Sequence, residues 1–127
     1  MLKPKALAKV LEQANTGGTV STQLLNRDGV LMAYTGPPER QSQVSSAVAS
    51  SIWDVYDKGG KAVLAGEHLD FLLIDCEGGK VAIKPVANLL LCVYCNDSVG
   101  VGMLKKKITA LAAHLDQPLA QLVPEDP

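Results

Sequence analysis

The stretch VANLLLCVYCNDSVGVG, residues 86–102, decides how the chain is read. It contains Cys92-Val93-Tyr94-Cys95, the C-x-x-C spacing of redox and metal sites. It also contains an unbroken run of apolar and thiol residues, Leu89 to Cys95, the composition of a strand buried on both faces. Side chains alternate along a strand, so residues three apart point to opposite faces, with Cα atoms roughly 10 Å apart at about 3.3 Å per residue. A disulfide needs Cα atoms within about 7 Å. A redox C-x-x-C winds the first turn of a helix, which lowers the thiol pKa. Here the helical pattern begins only after Asn96-Asp97-Ser98-Val99-Gly100. Zinc would want two further ligands, and Cys76, His68 and His114 stand at no ligand spacing. The cysteines therefore read as packed thiols in a central strand with helices above and below. A small thiol enzyme using Cys92 and Cys95, or Cys76, is the competing reading.

Outward from this strand the elements fall into order. Leu7, Val10, Leu11 and Ala14 recur at helical spacing after Pro4, and Asn15-Thr16-Gly17-Gly18 stops that helix. Val20–Leu25 and Val30–Tyr34 read as strands joined by the turn Asn26-Arg27-Asp28-Gly29. The Pro-rich break Thr35–Glu39 leads to a helix over Gln41–Lys58, which Gly59-Gly60 is expected to end. Leu69–Cys76 is predicted as a third strand and a sheet edge. Lys80–Val86 follows, and Asn88 breaks the chain before Leu89. Val101, Leu104, Ile108, Leu111 and Leu115 line one stripe of a last helix, with Pro118 at its end. The order α-β-β-α-β-β-β-α predicts an α+β fold: a five-stranded antiparallel sheet sandwiched between helices, one domain over residues 1–127.

Composition narrows the function. The chain has 127 residues, 47% hydrophobic and 20% charged, with a net charge of −1. A nucleic-acid or anionic-membrane binder would carry a basic surplus. Lys105-Lys106-Lys107 fans out by about 100° per residue, so its charges do not converge. Three cysteines and no secretory pattern point to a reducing compartment. No apolar run approaches the roughly 20 residues of a membrane span, and neither end carries a lipidation signal, so another chain is expected to supply any membrane attachment. An EF-hand frame from Asp57 fails, with Gly59, Lys61 and His68 where oxygen ligands belong. The glycine pairs Gly59-Gly60 and Gly100/Gly102 lack phosphate-loop frames and read as caps or close helix approaches. His68 and His114 read as surface residues. No catalytic, cofactor-binding or metal residue is assigned, and no cofactor is expected.

The middle helix is the informative oddity. At about 100° per residue, Val44, Ala47, Val48, Ala49, Ile52, Trp53 and Tyr56 cover an arc of roughly 240°, against somewhat over 100° for a helix on one sheet. Gln43, Ser46, Ser50, Asp54 and Asp57 fill the remainder. The excess points to a second chain, or to a loop over Trp53 and Tyr56. The candidate partner surface is Val44, Ala47, Val48, Ser51, Ile52, Val55 and Tyr56 on the helix, with Leu69, Phe71 and Leu73 on the third strand.

Several segments resemble the roadblock/LC7 (longin-like) domain family, and within it the Ragulator-type adaptors. They are Leu2–Leu7, Gln13–Gly18, Ala49–Trp53, Val86–Cys92, Val99–Lys107 and the PLAQL segment at 118–122. They run in register along nearly the whole chain. Thr35–Gln43 and Lys61–Leu69 depart from the family pattern, and both flank the proposed partner surface. The resemblance implies a non-catalytic scaffold that forms a heterodimer with a second roadblock-type subunit, through middle helices and third strands. It further implies Ragulator subunits including a lipidated anchor, Rag GTPases and mTORC1 signalling, and MEK–ERK kinases reached through the partner. The implied location is the cytosolic face of the late endosome or lysosome, peripheral through a partner, without direct insertion. A homodimeric regulator of a GTPase or motor is the alternative within the family.

Overall fold

A computed structural model of the chain describes residues 4–13, 17–64 and 66–120. The elements are α1 (Pro4–Glu12), β1 (Thr19–Leu25), β2 (Leu31–Thr35), α2 (Glu39–Val63), β3 (Leu72–Cys76), β4 (Gly79–Val86), β5 (Leu89–Asn96) and α3 (Val101–Ala120). The five strands form one antiparallel sheet in the order β2-β1-β5-β4-β3. β5, which holds the unbroken run Leu89 to Cys95, is the central strand, and β3 is an edge. Ala14, Asn15 and Thr16, part of the expected first helix and its cap, lie outside the described residues, as do Leu2, Lys3 and the residues after Ala120.

Local chemistry explains the turns. Asn26 Oδ1 accepts the N–H groups of Asp28 and Val30, each at 2.9 Å, and Gly29 takes φ of 87°, which only glycine adopts without strain. That closes the β1–β2 hairpin. Gly79 opens β4 where a Cβ would stand 2.5 Å from the Cys95 carbonyl oxygen, so only a bare backbone fits. Pro85 lies in β4 beyond the last β3 pair, Leu72↔Ile83, where its missing N–H breaks no bond toward that edge.

The two faces of β5 separate two cores. Leu91, Val93 and Cys95 pack with Leu24, Ala82 and the apolar stripes of α1 and α3, including Leu7, Leu11, Leu104, Ile108 and Leu115. Leu90 and Cys92 pack on the other face with Leu25, Ile83 and, from α2, Ala49 and Trp53. Of the expected α3 stripe, Val101 alone is exposed, because it stands at the first helical position beyond the sheet.

Several boundaries differ from the sequence expectation. Gly59-Gly60 does not end α2, which continues to Val63. Each glycine costs a helix about 1 kcal/mol, and one i,i+4 pair across them, Asp57–Lys61 at 3.8 Å, favours continuation, with Asp54–Lys58 at 2.9 Å supporting the turn before them. Nor do these glycines permit a close approach, since a Cβ at Gly59 would meet nothing. Gly100 does act as a cap, its carbonyl accepting the Leu104 N–H at 3.0 Å, whereas Gly102 stands in open space. The third strand begins at Leu72 rather than Leu69, because side chains take over the preceding segment. Asp57 accepts the Leu69 N–H at 2.8 Å, and Asp70 pairs with Lys84. Finally, α3 runs past Pro118 to Ala120. A proline so near the end of a helix forfeits one backbone bond without interrupting the long apolar stripe that seats the helix.

Candidate partner-docking surface

The site arises from a mismatch between α2 and the sheet beneath it. Cross-strand rows on the α2 side grade from apolar to polar. One row reads Ile74–Val81–Tyr94–Ser21 from β3 to β1, and the next reads Leu72–Ile83–Cys92–Gln23–Tyr34 from β3 to β2. The polar end lies at β1 and β2, and α2 seats there and on β5. Its buried residues are Ser42, Ser46, Ala49, Ser50 and Trp53, one face at helical spacing. The serines satisfy their hydroxyls on carbonyls. Ser46 Oγ donates to Gly29 O and Gln43 O, both at 3.0 Å, and Ser42 Oγ donates to Pro37 O at 3.1 Å.

This corrects the sequence reading of the helix. Ser46 and Ser50, assigned there to the narrow polar remainder, face the sheet. The valines face out: Val44, Val48, Val55 and Tyr56 are 53–67% exposed. With α2 drawn to the polar end, the apolar end of the sheet stays open. A groove of about 270 Å³ runs between helix and edge, walled by Val44, Val48 and Ile52 and floored by Ile74, Val81, Ile83 and Tyr94. Trp53 is buried in the chain's own core, so the excess arc is not a loop-covered Trp53 and Tyr56.

The predicted surface residues thus divide. Val44, Val48 and Ile52 meet at the groove; Ala47, Ser51, Val55 and Tyr56 are exposed on the outward helix surface. Leu69 is half-buried against the Trp53 core. Phe71 and Leu73 belong to the opposite face, packed against the α1–α3 core, with Lys105 Nζ 5.5 Å from the Phe71 ring centre. Strand alternation is the reason, since Leu73 pairs with buried Ala82 while Leu72 and Ile74 face α2. The floor residues Ile74, Val81 and Tyr94 went unrecognised in the sequence. Period-2 counting back from Cys76 carries the signal for Ile74, but which parity faces α2 follows only from the pairing.

The groove is neutral. Burial pushes the Cys92 thiol and the Tyr94 phenol up, the latter also through Cys92, so neither ionises near neutral pH. Cys92 and Cys95 lie in different cores, a geometry that removes the basis of a paired Cys92–Cys95 thiol site, and Cys76 is exposed at the end of β3. Native-state labelling with a maleimide should therefore modify Cys76 rapidly, and Cys92 and Cys95 at least about a hundredfold more slowly. Equal rates for all three would contradict this packing. Among the described residues no group of three or more His, Cys, Asp or Glu side chains stands close enough to hold a metal ion. Nor, among them, is any helix long and apolar enough to cross a membrane. The basic triplet disperses as expected: Lys105 lies over Phe71 and Lys107 bonds Thr19 Oγ1 at 2.8 Å.

Asp57 ties the C-terminal half of α2 to the segment before β3. The Leu69 N–H holds its carboxyl below the usual carboxylate range, helped by Lys61, His68 and Arg27 and opposed by partial burial. A carboxylate with a lowered folded pKa stabilises the fold above its unfolded pKa and loses that contribution as pH falls through the folded pKa. Proteolysis of the 66–71 loop should therefore accelerate below about pH 4, and Asp57→Asn should flatten that pH dependence. An unchanged pH profile in the variant would remove Asp57 from this role.

The Roadblock/LC7 domain profile matches residues 5–95. The chain is 35% identical over 125 residues to the Ragulator complex protein LAMTOR2 homolog of Caenorhabditis elegans, covering 96% of each. Among solved structures, a Roadblock/LC7 domain from Streptomyces avermitilis superposes with a TM-score of 0.83 at 15% identity, over 89% of this chain and 97% of that one. MglB of Myxococcus xanthus superposes with a TM-score of 0.80 at 12% identity, over 98% and 92%. At these identities the structures establish the fold alone.

Proposed function

The chain belongs to the Roadblock/LC7 domain family, and we propose that it serves there as a non-catalytic scaffold subunit of a Ragulator-type complex. The reading has all 127 residues acting as one roadblock unit that pairs with a second roadblock-type chain. The observation that carries it is the juxtaposition of an outward apolar helix flank, an open neutral groove and an unpaired edge strand. Exposed apolar patches of this kind mark interaction sites, and bare sheet edges are normally covered. Similarity along 96% of both chains to a Ragulator protein supports the choice of complex. In this reading other subunits, including a lipidated one, hold the pair on the cytosolic face of late endosomes or lysosomes. There it supports Rag GTPases in mTORC1 signalling and, through its partner, MEK–ERK kinases.

Co-expression with candidate roadblock-type chains tests it. Size exclusion with light scattering should find a one-to-one heterodimer in preference to a homodimer. A stable homodimer that ignores every candidate favours the homodimeric regulator instead. A monomer under all conditions overturns pairing altogether.

A further inference from the structure

The two helical layers are held on the sheet by different physics. α3 is seated by Leu104, Ile108, Leu111 and Leu115, so lifting it would expose leucines to water. The N-terminal half of α2 is seated by serines, two long polar contacts and a single small apolar side chain, Ala49. Gln23 Nε2 donates to Ser42 O at 3.4 Å, and Tyr94 OH donates to Ser45 O at 3.4 Å. Its N-cap, Pro38, makes no side-chain capping bond. Gln23 Oε1 and Trp53 Nε1 are buried beneath the helix without a hydrogen-bond partner. Lifting this half would let water bond Gln23, Ser46 and the Gly29 carbonyl, exchanging one set of hydrogen bonds for another at little net cost.

The other half is anchored. Trp53 is 3% exposed in an apolar core, and Asp57 holds the Leu69 N–H. The N-terminal end is tethered as well: Gly36, with φ of 104°, packs so closely on β1 that a Cβ there would stand 2.5 Å from the Val20 carbonyl oxygen, so bending at that end falls to the joint between the Pro37-Pro38 pair and the helix. We propose that residues 39–50 form a hinged arm, which leaves the sheet as a unit while the rest of the fold stays closed. Val44 and Val48, one wall of the groove, ride on this arm, while Ile74, Val81, Ile83 and Tyr94 stay on the sheet. The seat of the arm therefore sets the width of the groove, and a partner filling the groove would lock it. The inference concerns the isolated chain and stands whether or not the pairing reading does.

Native-state hydrogen exchange on the full chain, followed by mass spectrometry, tests it. Amides of residues 42–50 should be protected at least tenfold less than those of 104–112 and 90–93, and should open together. A smaller difference overturns the arm. Gln23→Met, which replaces the orphaned amide with an apolar side chain of similar size, should narrow that gap at least threefold. A gap that stays open in a folded Gln23→Met protein overturns the polar seam as its cause.

Discussion

Val48→Glu is expected to abolish pairing with a second roadblock-type chain while leaving this chain folded. Val48 is 53% exposed and lies on the groove wall, away from the Ala49 and Trp53 contacts that seat the helix. A glutamate there stays in water in the free chain, and solvent-exposed helix substitutions typically change stability by no more than about 0.5 kcal/mol. In a docked complex the same carboxylate would be desolvated among Val44, Ile52 and the partner's apolar surface. Burying an unpaired charge costs several kcal/mol; about 3 kcal/mol corresponds to roughly a hundredfold in Kd. Ile52→Glu should act similarly, with more risk to folding because that side chain is half-buried. Phe71→Glu should behave differently, since Phe71 packs against the α1–α3 core on the far side of the sheet; it should lower stability before it touches pairing. Calorimetry against the partner, with circular dichroism as the folding check, reads all three. Wild-type affinity in a folded Val48→Glu protein would move the partner surface off this groove.

The contrast between Val48 and Phe71 marks where the sequence stops being legible. Element order, the central position of β5 and the divergence of Cys92 from Cys95 follow from periodicity alone, because a run buried on both faces leaves few placements open. The excess apolar surface of α2 is legible too, but which side of the helix meets the sheet is not. Hydropathy favours Val44 and Val48 as the inward residues, yet the serines face in. Nothing local reveals this. It depends on Gln23, Ser21 and Tyr34 gathering at one end of the sheet through pairings between residues far apart in the chain. The start of β3 was hidden for a related reason. Leu69 and Phe71 carry strand-like side chains, but the backbone at Leu69 is committed to Asp57, 12 residues earlier.

Leu91→Ala should be strongly destabilising, at roughly 3–4 kcal/mol. Leu91 is fully buried at the centre of β5, between Leu24 on β1 and Lys84 on β4, and beneath the stripes of α1 and α3. Removing its side chain loses the transfer energy of the deleted atoms and leaves a cavity that flanking strands, locked by ladder bonds on both sides, cannot close. Cys92→Ala, one residue along on the α2 face, deletes only a sulfur. It should cost about 1–2 kcal/mol, less where the polar seam of α2 can settle into the space. Val48→Ala, on the open groove wall, should cost almost nothing. A domain of this size has roughly 5–15 kcal/mol to lose, so each variant should remain folded at room temperature and be measurable by urea denaturation. The ordering tests the two-core architecture more sharply than any one value. If Cys92→Ala proved as costly as Leu91→Ala, α2 would have to be seated as rigidly as α3. The open groove would then be a fixed cleft rather than the adjustable side of the sheet.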